Sequence, residues 1–361
     1  MNRITNAFLL MLNLVAIVAL IAINCIPFIP PSSVLSIISI ANLAFPFFLV
    51  LNVFFVIIWA FRLKWYFLLS VIFILFSIPN LHNLYSFSPE KKAEKKEGSI
   101  SVLTYNIHYF NFFEKEQGTK TGNSILDYLA NCDADIICLQ EFCYSDYNDF
   151  SLKQIQQHLK KYPYSYIEIL YKDRYLSKGV ATFSKHKIIN REKIDILSAY
   201  HTSIASDVLV KGDTVKIINC YLESNRLTEK EKKIYRIEDE KEKITSLAKR
   251  IQNKLNFASR KRGDQAKIIA KYAQKSTIPL VVCGDLNDVP TSYTYRTIKD
   301  TMTDSFTELS KGFGNTFHEK IYAFRIDYIF TGKRINPLAY ETSKFSSSDH
   351  YPIRLNFEIT E

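Results

Sequence analysis

The first 88 residues contain no aspartate and no glutamate, and only three basic residues, Arg3, Arg62 and Lys64. A stretch that poor in charge does not form an ordinary solvated surface. The chain also lacks any Cys-x-x-Cys pair, and none of its six cysteines (Cys25, Cys132, Cys138, Cys143, Cys220 and Cys283) joins histidines at zinc-finger spacing. A structural zinc site is therefore excluded. Cys138, Cys220 and Cys283 fall inside apolar runs, where a free thiol acts as a small hydrophobe, so no essential disulfide is expected. No internal repeat is visible, which sets aside solenoids and propellers.

What is present changes abruptly near Pro89. Before it come three apolar stretches: Ile4 to Ile26, about Val34 to Phe61, and Trp65 to Ile78. The first two reach the ~20 residues that cross a bilayer, while the third is short. Pro27-Phe28-Ile29-Pro30-Pro31 breaks the first from the second. A cleaved signal peptide fits poorly, because further apolar spans follow the first. Residues 1–85 thus read as an all-α transmembrane segment of three helices, with the lipid bilayer as their partner. Placing Arg3, Arg62 and Lys64 in the cytoplasm puts the rest of the chain outside it. Lys91, Lys92, Lys95 and Lys96 argue the other way, but long domains translocate largely regardless of charge. If the third stretch does not cross, the remainder is cytoplasmic.

Residues 86–98 are Ser, Pro, Lys and Glu with little else, an exposed linker. Residues 99–361 form the remaining domain, long enough for its own core. The net charge of +10 is only mildly basic over this part and selects no substrate. Strand-like runs occur at Ser99 to Asn106, Asp135 to Leu139, Tyr164 to Leu170, Gly179 to Phe183, Ser203 to Val210, Val215 to Leu222, Pro279 to Cys283, Arg325 to Phe330 and Ile353 to Ile359. Helical spacing appears at Ser124 to Ala130 and Phe150 to Lys161. That mixture predicts an α/β domain built on packed sheets. Thr228 to Lys275 has no proline and carries Ile237, Ile244 and Ile251 every seven residues. It predicts one long charged helix, packed on a sheet or docked against membrane or partner.

Five strand ends carry polar residues of a catalytic kind: Leu103-Thr104-Tyr105-Asn106, Cys138-Leu139-Gln140-Glu141, Cys283-Gly284-Asp285-Leu286-Asn287-Asp288, Phe324-Arg325-Ile326-Asp327-Tyr328 and Ser347-Ser348-Asp349-His350. Singly, each reads as a turn or a solvated loop end, except Asp327, whose carboxylate in an apolar strand needs a partner. Together they supply what phosphoester cleavage requires. Glu141 and Asp349 offer hard oxygen ligands for Mg²⁺ or Mn²⁺. Asp285 can take a proton from an attacking water. Asn106 and Asn287 can fix that water and a phosphate oxygen. His350 can donate to phosphate, with Asp327 orienting its ring.

The stretches LTYN, DIICLQE, GVATFSK, IINCYLES, VVCGDLND, RIDYIF and SSDHYPI, in that order, resemble the endonuclease/exonuclease/phosphatase (DNase I-like) superfamily. The resemblance implies a four-layered α/β sandwich, with the site at one sheet edge. By position it implies a metal around Glu141, Asp349 and Asn106, water activation by Asp285 with Asn287, and an Asp327–His350 pair. Asn106, Asn287, Tyr221 and His350 are implied as phosphate contacts. Many members carry His where this chain has Tyr221; abasic-site endonucleases use Tyr there, and a phenol still donates. His108 stands where abasic-site enzymes carry a metal-binding Asp, and faces metal or substrate or merely ends the strand. The expected activity is metal-assisted hydrolysis of a phosphoester: nucleic acid, phospholipid or sphingolipid, or a phosphate monoester. No obligate protein partner is implied. The alternative, a catalytically dead scaffold, is disfavoured because every core acid is in place.

Overall fold

In this computed structural model of the protein, residues 3–32, 41–90, 98–112, 118–147, 150–228, 231, 241–319 and 322–360 are described. The chain divides into two compact units. One joins residues 1–84 with 225–263 and 289–296; the other holds 85–224, 264–288 and 297–361.

In the first unit, two helical stretches are long and apolar enough to cross a membrane, Arg3–Phe28 and Asn42–Phe61. The start of the second expected span, residues 34–40, lies outside the described residues. The third expected span is not one straight helix. Phe67–Phe76 and Ile78–Leu84 meet at a 55° bend. Pro79 is the cause: its ring leaves no room for the carbonyl four residues back and it has no N–H for the helical ladder. Polarity in this bundle is inside out. Phe8, Val15, Val18, Phe47, Val50 and Phe54 are exposed, while Asn13, Asn24, Asn52 and Asn80 are buried. Asn13 donates to Ser70 Oγ at 2.7 Å and accepts from Trp59 Nε1 at 2.9 Å. Asn24 donates to Ser77 Oγ at 2.8 Å and accepts from Asn80 at 2.8 Å. Such amide and hydroxyl pairs hold helices together where apolar burial gives no driving force.

The helix Lys241–Gln274 realises the long charged helix. Ile234 and Ile237 of its expected stripe lie outside the described residues, as do Lys91, Lys92, Lys95 and Lys96. The expected linker begins instead with a short strand. Ser86–Phe87 pairs with Lys311–Gly312, and the buried Ser86 hydroxyl donates to Thr307 O at 3.0 Å.

The second unit is built on two six-stranded sheets. The order in sheet I is Ile335–Thr342, Ile353–Ile359, Ile100–Asn106, Ile136–Tyr144, Ser177–Ser184, Tyr164–Lys172. The order in sheet II is Thr303–Asp304, Asp327–Thr331, Leu280–Asp285, Asp213–Tyr221, Ser203–Val210, Ile188–Ile194. Alternate residues of both sheets, among them Val102, Ile136, Val215, Ile217, Val281 and Ile329, form one buried core between them. Helix Gly118–Asn131 covers the outer face of sheet I, burying Ile125, Leu126 and Leu129 against Leu103, Ile137 and Leu139. On sheet II, Tyr272 of the long helix donates to Glu192 and lies beneath the Lys216 ammonium. The mixed α/β class is therefore as expected. Strands Ile188–Ile194 and Ile335–Thr342 were not legible in the sequence; both are sheet edges.

Candidate active site

Each sheet has one parallel pair at its centre: Ile100–Asn106 beside Ile136–Tyr144, and Asp213–Tyr221 beside Leu280–Asp285. Parallel neighbours require a crossover, and helices lie within both connections. Three of these strands run out at Asn106, Tyr221 and Asp285, and Glu141 lies three residues before the end of the fourth. Carboxyl ends of parallel strands are where open α/β sheets ordinarily place ligands.

These ends meet in one hydrogen-bonded cluster. Asn106 Nδ2 donates to Asp285 Oδ2 at 3.0 Å and approaches Glu141 Oε1 at 3.4 Å. Tyr221 Oη donates to Glu141 Oε1 at 2.9 Å. Glu141 is able to point there because the pairing of its strand shifts register between Leu139 and Phe142, and its own φ is +52°. Gly284, just before Asp285, has φ +128°, and any Cβ there would lie 2.0 Å from Cys220 O, so only glycine fits.

Asp285 begins a tight turn. Its Oδ1 accepts from Asn287 N at 2.7 Å, and its Oδ2 from Asn287 Nδ2 at 3.1 Å, a side-chain-closed turn of the kind Asp and Asn favour. Opposite Asp285, on the adjacent antiparallel strand, stands Asp327. His350 Nδ1 is 2.8 Å from Asp327 Oδ2, and its Nε2 is 4.0 Å from Asp285 Oδ2. All three are buried. Burial, then the facing Asp327, push the Asp285 carboxyl up to about 7. Burial opposes charge on His350, but Asp327, by its charge and its hydrogen bond, together with Asp285 and Asp349, outweighs it and raises the ring to about 10. Burial, then Glu141, hold the Tyr221 phenol well above its ordinary value, so it remains a donor.

Asp349 and His108 border the cluster. His108 Nδ1 lies 3.6 Å from Asp349 Oδ1, both partly exposed. Every residue expected at the site is thus in this one region. His108, Tyr109, Phe110 and Asn111 all have positive φ, a left-handed turn leaving the Asn106 strand.

Several supporting groups escaped sequence reasoning. Ser348 Oγ donates to Asn106 O at 2.8 Å and accepts from His350 N at 3.2 Å, tying the last loop to the first strand. Gln140 and Asn219 bridge the two sheets at 2.7 Å. Thr316 Oγ1 accepts from Asp327 N at 3.1 Å. Arg325 is buried against Asp304 at 2.7 Å, two residues before Asp327. Ser348 stands inside a recognised stretch, and Asn219 interrupts an apolar strand; Thr316 has no signal in sequence.

Residues 103–350 match the Endonuclease/Exonuclease/phosphatase family, a span that contains every residue of this cluster. The chain belongs to that family. Residues 6–84 of this family member match a separate domain family of unknown function. No curated relative matches. Among solved structures, the endonuclease/exonuclease/phosphatase from Bacteroides vulgatus aligns at 15% identity and TM-score 0.52, over 72% of this chain and 99% of that one. The human nocturnin catalytic domain, with bound sulfate, aligns at 20% and 0.51, over 73% and 95%. The Beutenbergia cavernae protein aligns at 15% and 0.50, over 73% and 72%. At such identities the likeness is one of fold.

Among the described residues, one group of ligand atoms lies mutually within 4.8 Å: Asp285, Asp327 and His350. That trio is a poor cage, because a histidine raised to about 10 is an imidazolium and already neutralises the carboxylates. Glu141 and Asp349 are hard oxygen donors at the cluster's rim, of the kind a magnesium-like ion takes, while Asn106 turns its Nδ2 to the carboxylates and its Oδ1 to His108 N.

Where strands Ile136–Tyr144 and Tyr164–Lys172 of sheet I run out, there is a groove of about 500 Å³ lined by residues including Tyr144, Tyr147, Lys172, Arg174 and Tyr175. The Lys178 ammonium lies 4.9 Å from the Tyr109 ring and 5.9 Å from the Tyr171 ring.

Proposed function

We propose that this chain is a membrane-tethered phosphodiesterase that depends on a divalent metal and hydrolyses its substrate by water attack at phosphorus. The observation that carries the reading is the buried Asp285, a carboxyl at about 7, in contact with Asn106 and Asn287 and facing the Asp327–His350 pair. A group that changes protonation near neutrality is suited to general-base work. Asp285 takes the proton of the attacking water, and Asn287 and Asn106 hold that carboxylate in place. His350, kept cationic by Asp327, donates from Nε2 to the phosphoryl oxygens, and the Tyr221 hydroxyl is a further donor. Glu141 and Asp349 hold Mg²⁺ or Mn²⁺, which when bound supplies Lewis-acid polarisation of the phosphoester. The groove with Lys172 and Arg174 suits a diester, whose second substituent needs room beside the phosphate.

Membrane tethering is supported by the two spans and by the buried amides beneath an apolar exterior. With Arg3, Arg62 and Lys64 in the cytoplasm, the catalytic region lies outside it when the bent pair Phe67–Phe76 and Ile78–Leu84 crosses as a third span, and inside it when that pair does not cross. A parallel assay tests the reading. The full chain in neutral detergent, with Mg²⁺, is offered plasmid DNA, RNA, phospholipid and sphingomyelin micelles, and a phosphate monoester. Cleavage of one diester class, abolished by Asp285→Ala, is expected. Turnover of the monoester alone would replace the diesterase reading by a phosphatase one.

A further inference from the structure

The catalytic cluster leaves one charged feature of the chain unused. The long helix has no acidic residue from Lys243 to Gly263 and carries Lys249, Arg250, Lys254, Arg260, Lys261 and Arg262. An acidic surface packed on that half would show carboxylates facing it. Among the described residues Glu231 does so, pairing with Arg250 at 3.0 Å and Lys254 at 2.7 Å. Lys249 and Lys261 make no ion pair among the described residues.

This half of the helix belongs to the same compact unit as the apolar helices. Its end is fixed to them: the position a Cβ of Gly263 would take lies 3.0 Å from the Pro31 ring, just past the first span. The segment Val289–Arg296 closes on the same ends. Arg296 lies 3.9 Å over the Phe28 ring, and Tyr295 Oη reaches Asn83 Oδ1 at 3.4 Å. The Gly263 end of the cationic half therefore packs just past the end of the first span.

Its outward face is shaped. Ser246, Lys249, Arg250, Asn253, Lys254 and Phe257 recur at three- and four-residue steps, one face of the helix, and line a groove of about 460 Å³. Phe257 is 48% exposed, with the Lys261 ammonium 6.0 Å from its ring. An exposed aromatic among cations, beside spanning helices, is the composition of an interfacial helix on an anionic leaflet.

We infer that this face is a docking site for the phosphate-bearing headgroups of anionic phospholipids, with Lys249, Arg250 and Lys261 meeting the charge and Phe257 entering the acyl boundary. The inference rests on the membrane reading above but not on the hydrolytic one. The anchor is then two-part, spans plus a headgroup-reading helix, and the enzyme prefers an anionic leaflet.

The test is thermal unfolding of the full chain in neutral detergent with short-chain phosphatidylglycerol, phosphatidylcholine or inorganic phosphate added. Phosphatidylglycerol is expected to raise the midpoint saturably, and the effect should weaken with salt. The Lys249→Gln/Lys261→Gln pair should weaken its apparent affinity by about tenfold or more, with the lipid-free midpoint unchanged. Lys249→Arg/Lys261→Arg should retain it. Equal shifts from phosphatidylcholine, an equal shift from inorganic phosphate, or an unaltered response in the Gln pair would each overturn the lipid site. Because unfolding needs no turnover, failure here is separable from failure of the proposed reaction.

Discussion

Asp285 and Asp327 are cross-strand partners: two buried carboxylates directly opposite one another on adjacent antiparallel strands. Like charges so placed destabilise a sheet. The imidazolium of His350, 2.8 Å from Asp327, offsets one of them, while burial first and then the facing Asp327 raise the pKa of Asp285. The local cost and the chemistry have the same source.

A pH dependence follows. Asp285 works as a base only after losing its proton, so kcat/KM should climb with pH through about 7. Asp327→Asn removes the facing charge and also the support of His350. Asp327 acts on Asp285 more strongly than His350 does, so the midpoint should fall while the maximal rate also drops. A midpoint that rises in the variant contradicts this.

The same residue should trade stability for activity. A carboxyl whose folded pKa is raised costs stability as pH rises from its unfolded value, near 4, through about 7. In chelator, Asp285→Asn should therefore melt higher than the natural chain at pH 8, by roughly 3 °C, with little gain at pH 5. Its hydrolysis should fall by about 10²-fold or more. A stability gain as large at pH 5 as at pH 8 would sink the linkage.

Tyr221 donates to Glu141 at 2.9 Å from a phenol that stays protonated. Tyr221→Phe keeps the ring and loses the donor, so it should fold normally and slow hydrolysis by about tenfold to a hundredfold. Tyr221→His should recover part of the loss. Circular dichroism and steady-state kinetics on the same samples check both.

Gly284→Ala should remove soluble, folded protein. Its Cβ would meet Cys220 O at 2.0 Å with φ at +128°, a cost of at least about 3 kcal/mol. Normal expression and melting of that variant would contradict the close approach of the two strands.

Much of this was legible because polar residues interrupt apolar strand runs at the site: Asn106 and Asp285 end their strands, Asp327 begins its own, and Glu141 lies at a register shift. What escaped has physical reasons. Ile188–Ile194 carries Arg191, Glu192 and Lys193 because it is an edge, and charges protect edges. Ile335–Thr342 holds Pro337 at a register shift, tolerable only at an edge. Pro79 was within view, yet its 55° break appears only once the helices on either side are placed. Thr316 and Ser348 act on neighbours far along the chain, Ser348 across 242 residues to Asn106, and no local pattern encodes such contacts.

The central claim is that Asp285 and a divalent metal together make this family member a phosphoester hydrolase. The most direct measurement is hydrolysis of bis(p-nitrophenyl) phosphate by the purified full chain, with Mg²⁺ or Mn²⁺, with chelator, and with Asp285→Ala and His350→Ala. Activity should require metal, vanish in chelator, return on re-addition, and fall by about 10²-fold or more in both variants. Equal rates with and without metal, or full rates in both folded variants, would contradict the account.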